Sequence, residues 1–263
     1  MSDADVALLS LAAEQAFAAN QAALTPSLPD FWSDWTIQGW ITGTDTAFSV
    51  GRFKLAQRDV FYGWLLERKG EFVAAIRGTG SPLEWWIDSL WMPRRAHPVA
   101  GRVESGFWSV YQSMRIGKTP ISQIHDWTNG KLTIVGHSLG AALATYLTFD
   151  VAQEAGSDVR GIFVASPHPG DKRFSAAFGK TAPNHVLYRN MRDVVPRVPV
   201  SVPFLIDYAA VPNVQELSAV KSGIRVQGGW GAQHHVFTYF ALMQPDRLPW
   251  LRQQFGSRVG YLA

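Results

Sequence analysis

The sequence contains no cysteine. A disulfide framework, a thiolate nucleophile and a cysteine-ligated zinc site are therefore all excluded. Charged residues make up only 17% of the chain, below the roughly one quarter that is usual in soluble domains. The formal net charge is +3 and the 24 basic residues are scattered, so no basic stripe is present and no nucleic-acid partner is expected.

Long apolar runs are missing as well. No stretch approaches the roughly 18 apolar residues that a transmembrane helix needs. The first residues, Met1 to Asp5, are acidic, whereas a secretory signal peptide begins with basic residues. With no signal peptide recognised, the predicted location is the cytoplasm, or the protein is exported by a signal-independent route. Val6, Leu9, Ala13 and Phe17 recur at helical spacing and predict a helix within residues 1–30 that packs on the domain.

The pattern of strands and helices favours one α/β domain over residues 1–263. Its length and its hydrophobic content of 47% are sufficient for one large core. Predicted strands alternate with helical segments, which indicates a mostly parallel central sheet flanked by helices. The first two strands read as a hairpin, and the last helix ends before Pro245. The segments are the hairpin strands Val60–Glu67 and Glu71–Arg77, the strands Lys131–Val135, Gly161–Ala165 and His185–Asn190, and the final helix Val236–Met243.

The pentapeptide from Gly136 to Gly140 reads G-x-S-x-G. An apolar, β-branched strand comes before it and an alanine-rich helix after it. This context predicts a sharp strand-to-helix turn that presents the hydroxyl of Ser138 as a nucleophile, with the backbone N–H of Leu139 at the helix N-terminus beside it. The alternative is an ordinary turn in which Ser138 only caps the helix.

A serine nucleophile needs a histidine base and an orienting carboxylate. His168 and the pair His234-His235 both lie where they could reach the catalytic edge, and His235 is preferred because it directly precedes the final helix. His185 begins a strand, at the opposite end of the sheet.

Three aspartates could orient that histidine. Asp193 follows the apolar strand that ends at Asn190, and catalytic groups gather at the carboxyl ends of strands in open α/β sheets. Asp171 precedes a helix and reads as a cap, while Asp207 has no clear interpretation. Thr79 follows an upstream strand in a Gly-rich turn and is either a second oxyanion donor or part of an ordinary turn.

These segments together resemble the class 3 (fungal-type) lipase family of the α/β-hydrolase superfamily. The resemblance covers roughly residues 60–243, in the family's order. It implies a serine-dependent carboxylic ester hydrolase with Ser138, Asp193 and His235 as the triad and the N–H groups of Thr79 and Leu139 as oxyanion donors. The matching segments are Ala75–Thr79, Trp85/Trp86 with Asp88, Ser105–Phe107, Gly136–Gly140, Ala165–Pro167, Arg192–Pro196, and His235 with Tyr239.

The resemblance also implies an amphipathic lid over the serine, here at about residues 81–92. Its apolar side chains would cover the acyl groove and respond to an oil surface. The alternative is that they belong to the core. The lid and substrate-binding candidates are Leu83, Trp85, Trp86, Ile87, Leu90 and Trp91.

The predicted function is hydrolysis of acylglycerols by a triacylglycerol lipase that works at an oil–water interface. The alternatives are a soluble esterase for short-chain or aromatic (feruloyl-type) esters, a phospholipase, and a non-catalytic lipid-binding module. The chemistry requires no metal or other cofactor, and the sequence contains no HExxH motif or Cys/His cluster. A monomer is assumed by default.

Overall fold

The computed structural model describes residues 1–44, 58–79, 94–128, 131–155, 159–201 and 207–263. Within these ranges nine strands form one mixed sheet in the order β13-β11-β9-β8-β3-β2-β1-β6-β7, and four short strands form a second sheet in the order β12-β10-β5-β4. The strands are β1 (Thr36–Thr44), β2 (Asp59–Arg68), β3 (Glu71–Ile76), β4 (Arg94–Ala96), β5 (Arg102–Glu104), β6 (Arg115–Ile116), β7 (Thr119–Pro120), β8 (Leu132–His137), β9 (Val159–Val164), β10 (Gly170–Asp171), β11 (His185–Asn190), β12 (Tyr208–Ala209) and β13 (Val214–Leu217).

The described helices flank this sheet. They are α1 (Asp3–Ala19), α2 (Ser105–Ser113), α3 (Leu139–Ala155), α4 (Lys172–Thr181), α5 (Ala219–Ser222), α6 (Trp230–His234), α7 (Val236–Met243) and α8 (Leu248–Phe255). Within the described ranges, no helix combines the length and the apolar character that a bilayer crossing would require.

The first part of the main sheet is the predicted hairpin of β2 and β3, which is confirmed. Lys69 and Gly70 connect the strands with φ values of 52° and 79°, the left-handed conformation that two-residue hairpin turns favour. From β3 onward, β3, β8, β9, β11 and β13 run parallel. The α/β-hydrolase expectation of a largely parallel sheet between helices is therefore confirmed, with β1, β2, β6 and β7 as an antiparallel extension.

Two apolar layers hold the sheet between the helices. On one face, side chains such as Leu143 and Phe149 of α3 are fully buried. On the other face, Leu9 of α1 and Phe240 of α7 are fully buried against the sheet. Because α3 is buried over nearly its whole length, it is apolar around its circumference rather than along one stripe.

The parallel strands place their carboxyl ends along one edge of the sheet. Chain segments that leave β3, β8 and β11 carry Thr79, Ser138 and Asp193 respectively. Catalytic groups of open α/β folds gather at this edge. The topology therefore brings three residues that are far apart in sequence to one side of the molecule.

Candidate active site

Ser138 lies in a tight turn between β8 and α3. Its φ is 58°, a conformation that is costly for a residue with a side chain, and its N–H donates to the Val164 carbonyl at 3.0 Å. The flanking glycines make the turn possible. A Cβ on Gly136 would lie 2.2 Å from the carbonyl oxygen of Gly140, and one on Gly140 would lie 2.4 Å from that of Arg77.

The Ser138 hydroxyl is buried and has no hydrogen-bond partner among the described residues. It therefore does not cap α3 through its side chain, which was the alternative interpretation of the motif. A buried hydroxyl left without a partner costs about 1–3 kcal/mol. Such a cost is typical of a reacting group rather than of a structural one.

Asp193 follows β11 and is 1% exposed. Its Oδ2 accepts two hydrogen bonds, from His234 Nδ1 at 2.7 Å and from the Tyr239 hydroxyl at 2.8 Å. Its Oδ1 accepts from the N–H of Val195 at 3.0 Å. These three donors fix the carboxylate rigidly and compensate for the burial of its charge.

His234 is the last residue of α6 and is 4% exposed. Since Nδ1 donates to the Asp193 carboxylate, the lone pair of the neutral ring is on Nε2, and Nε2 has no partner among the described residues. Burial lowers the pKa of His234, and the charge of Asp193 offsets this only in part. A neutral imidazole with a free Nε2 is the state that a general base requires.

The structure contradicts the expectation that His235 is the base, because the His235 side chain does not contact Asp193. His235 is the N-terminal cap of α7, and its Nδ1 accepts the N–H of Phe237 at 3.2 Å. Burial and the nearby charge of His137 lower the pKa of His235 to about 4. One helix ends at His234 and the next begins after His235, so the chain turns between them and only His234 faces Asp193.

The remaining candidates lie elsewhere. His168 contacts the carbonyl of Pro199 at 2.9 Å, and His185 bridges two carbonyls at the opposite end of β11. Asp171 caps α4, accepting the Phe174 N–H at 2.8 Å. Asp207, for which the sequence offered no interpretation, forms an ion pair with Arg94 at 2.6 Å.

The predicted oxyanion donors lie at the same edge. Leu139 is the first residue of α3, where backbone N–H groups have no partner within the helix. Gly140 packs against the carbonyls of Ile76 and Arg77, which brings the segment ending at Thr79 to the same turn. The Thr79 hydroxyl is buried and lacks a partner among the described residues. The lid candidates Leu83, Trp85, Trp86, Ile87, Leu90 and Trp91 lie outside the described residues.

Asn190, which the sequence analysis did not assign to the site, supports it together with Tyr239. Asn190 donates through Nδ2 to the carbonyl of Gln233 at 2.9 Å and through its N–H to Tyr239 Oη at 3.0 Å, so it ties β11 to the segment that carries His234. Burial and the Asp193 charge raise the pKa of Tyr239, which keeps its phenol protonated as a donor. The only sequence signal for Asn190 was its position at the end of a predicted strand.

This elbow serine and buried Asp–His pair, set at the carboxyl edge of the sheet, define a protein of the α/β-hydrolase class. Residues 73–202 match the model of the family described as Lipase (class 3). The M37 lipase structure aligns with a TM-score of 0.63 over 98% of both chains at 16% identity, a level of identity that supports the fold alone.

Two curated relatives are more similar in sequence. Phospholipase A1-II 7 of Oryza sativa subsp. indica is 29% identical over 65% of this chain and 48% of its own length. A lipase of Rhizomucor miehei is 30% identical over 47% of this chain and 36% of its own length. The chain thus spans half or less of these two relatives. The matched segment and these relatives confirm the resemblance to the class 3 lipase family that the motifs had indicated.

Proposed function

We propose that this chain is a serine-dependent carboxylic ester hydrolase acting on acylglycerols, with Ser138, His234 and Asp193 as its catalytic residues. The observation that carries the proposal is the buried hydrogen bond of 2.7 Å between His234 Nδ1 and Asp193 Oδ2, beside a serine held at positive φ. The match of residues 73–202 to the class 3 lipase family supports the same chemistry.

The reaction proceeds by two acyl transfers. His234 Nε2 takes the proton of Ser138 as the hydroxyl attacks the ester carbonyl, and the resulting imidazolium is stabilised by Asp193. The same nitrogen then protonates the leaving alcohol. His234 then takes a proton from water as the water attacks the acyl-enzyme. The same nitrogen returns that proton to the Ser138 oxygen as the acid leaves.

The oxyanion of each tetrahedral intermediate receives hydrogen bonds from backbone N–H groups. Leu139 supplies one at the first turn of α3, where the helix dipole adds a partial positive charge. Thr79 supplies the second, from the end of the segment that leaves β3. One such donor is worth about 10²–10³ in rate.

The relatives include proteins named lipase and proteins named phospholipase A1. The primary proposal is hydrolysis of triacylglycerol at an oil–water interface. The second candidate is removal of an acyl chain from a phospholipid, which the rice relatives favour because five of them carry that name.

Hydrolysis of p-nitrophenyl esters from acetyl to palmitoyl, at concentrations that span each solubility limit, tests the proposal. The variant Ser138→Ala should lose nearly all turnover. The matched control is Ser175→Ala, because Ser175 is also buried but donates to the Ala210 carbonyl away from the site. Activity of Ser138→Ala equal to wild type would refute the proposed nucleophile.

The chain-length profile then separates the substrate classes. Cleavage of long chains with a sharp rise in rate once droplets form supports a lipase. Smooth saturation on short chains alone favours a soluble esterase instead. Release of fatty acid from phosphatidylcholine vesicles but not from emulsified triacylglycerol favours the phospholipase.

A further inference from the structure

A second buried carboxylate lies next to the elbow and is not used in the mechanism above. It belongs to Glu14 of the N-terminal helix α1, which packs against β8 and α7. Part of Glu14 reaches solvent, but its Oε2 is buried and lies 3.7 Å from Nδ1 of His137, the residue before the nucleophile. His137 is itself only 5% exposed.

His137 also reaches the histidine of the site. Its Nε2 lies 2.7 Å from the backbone carbonyl oxygen of His234, and the two imidazole rings are 4.7 Å apart. Because a carbonyl oxygen only accepts, Nε2 of His137 must carry a proton and donate it. The side chain of the elbow residue therefore holds the backbone of His234 directly.

The side chains of Glu14 and His137 both pack against Gly78, in the segment that leads to Thr79. A Cβ on Gly78 would lie 3.1 Å from Glu14 Oε2 and 3.2 Å from His137 Nδ1. Arg77, the residue before, extends its guanidinium over the ring of Phe17 on α1 at 3.6 Å. The contacts among Glu14, His137 and Gly78 thus connect α1, the elbow and the segment that follows β3.

The charge on Glu14 follows from these contacts and from its burial. With Nε2 protonated, a neutral His137 would present the lone pair of Nδ1 to the lone pairs of Glu14, and neither atom has another partner among the described residues. The 3.7 Å between the two atoms is the separation of an ion pair rather than of a direct hydrogen bond. Burial alone would raise the pKa of Glu14, but the neighbouring His137 outweighs it and the pKa is lowered. Glu14 is therefore the carboxylate that faces Nδ1 of His137.

We propose that Glu14 is a positioning residue: through His137 it sets the position of the His234 backbone relative to Ser138 and Thr79. The molecule then contains two carboxylate–imidazole pairs in contact. The pair of Asp193 and His234 performs the proton transfer, and the pair of Glu14 and His137 orients it. This inference rests on the proposed function, since it assigns a role within the same site.

A purely structural role for Glu14 would be to attach α1 to the domain. Asp5 provides the matched control, because it is a carboxylate on the same helix that forms an ion pair with Arg247 at 2.7 Å and caps the helix start. Loss of Asp5 weakens the attachment of α1 without touching the elbow, Gly78 or the segment of His234.

The experiment compares Glu14→Ala, Glu14→Gln and Asp5→Asn on p-nitrophenyl butyrate, with active sites titrated by a phosphonate probe. We expect Glu14→Ala to lower kcat per titrated site by about tenfold or more, with KM changed by less than about twofold, because small displacements of reacting groups are costly in rate. Glu14→Gln should recover most of kcat, since its amide can donate to Nδ1 of a neutral His137. Asp5→Asn should lower only the melting temperature.

Imidazole ¹⁵N NMR gives a second readout. Wild-type His137 should show protons on both nitrogens, whereas in Glu14→Gln only Nε2 should carry one. Unchanged kcat per titrated site in Glu14→Ala, or an equal loss in Asp5→Asn, would overturn the inference. If Glu14→Ala does not fold, His137 still doubly protonated in Glu14→Gln overturns it. Failure of the probe to label wild type would instead count against the proposed function and leave the NMR comparison intact.

Discussion

The two adjacent histidines provide the sharpest test of the site. His234 donates to Asp193 and is buried, whereas His235 caps α7 and accepts from Phe237. We therefore expect His234→Ala to lower kcat by about 10⁵-fold or more, because removing the base disables a triad that acts as a unit. We expect His235→Ala to change kcat by less than about threefold, since its loss leaves the proton-transfer path intact.

The cost of His235→Ala should appear in stability instead. Removing a side-chain cap costs about 1 kcal/mol, and for a chain of this size that lowers the melting temperature by about 2–4 °C. Part of the packing against Phe237 and Tyr261, whose ring centroids lie 4.9 and 6.2 Å away, is lost too. His235→Asn keeps an acceptor for the Phe237 N–H and should recover part of the lost stability.

The assay is the initial rate on p-nitrophenyl butyrate, measured together with thermal unfolding for each variant. Far-UV circular dichroism checks that His234→Ala remains folded. If His235→Ala lost activity by several orders of magnitude while His234→Ala retained it, the reasoning from the hydrogen bond to Asp193 would be refuted. An equal and complete loss of activity in both variants would show that activity depends on the conformation of the junction between α6 and α7 and not on a single imidazole.

Two further predictions concern stability. Burial lowers the pKa of His97 from 6.5 to about 4, so the unfolded chain binds this proton first as the pH falls, and this group should lower the free energy of unfolding by about 3 kcal/mol between about pH 6.5 and 4. Urea unfolding of His97→Asn should therefore show a weaker pH dependence, and a pH dependence equal to that of the wild type would argue against this origin. Ser138→Gly should raise the free energy of unfolding by about 1–2 kcal/mol while abolishing activity, because it removes the strain of the positive φ and the buried hydroxyl without a partner. Urea unfolding at neutral pH measures this change, and a variant less stable than the wild type would contradict the prediction.

Much of the fold could be predicted from local patterns. The hairpin turn at Lys69 and Gly70, the elbow at Ser138 and the position of Asp193 after β11 all follow from strand, turn and helix signals within a few residues. Such features depend on short-range sterics and on the hydrophobic period. The parallel strands then bring their carboxyl ends together whatever the sequence between them.

The choice between His234 and His235 could not be made in the same way. It depends on where α6 ends and α7 begins, and a shift of one residue exchanges the imidazole that faces Asp193 for the one that caps a helix. The boundaries of helices and strands are the least certain part of any secondary-structure prediction from sequence. Glu14 was missed for a different reason, because its partner lies more than 120 residues away and only the packing of α1 against β8 brings them together.

The distribution of unsatisfied polar atoms supports treating these residues as one site. Among the described residues, seven buried side-chain atoms have no hydrogen-bond partner, and five of them lie at this edge of the sheet. They belong to Glu14, Thr79, His137, Ser138 and His234. Each such atom costs about 1–3 kcal/mol when nothing compensates it, and chance would not gather five of them around one turn.

The structure gives two different explanations for four of these atoms. Glu14 Oε2 and His137 Nδ1 face each other at 3.7 Å, within the distance of an ion pair, so each atom compensates the other. Ser138 Oγ and His234 Nε2 have no such compensation, and they are the atoms that the proposed reaction brings into contact with substrate. The apolar layers on both faces of the sheet supply the stability that allows the fold to keep these polar groups unpaired. The cost therefore falls on the atoms that react, while the atoms that position them are paired.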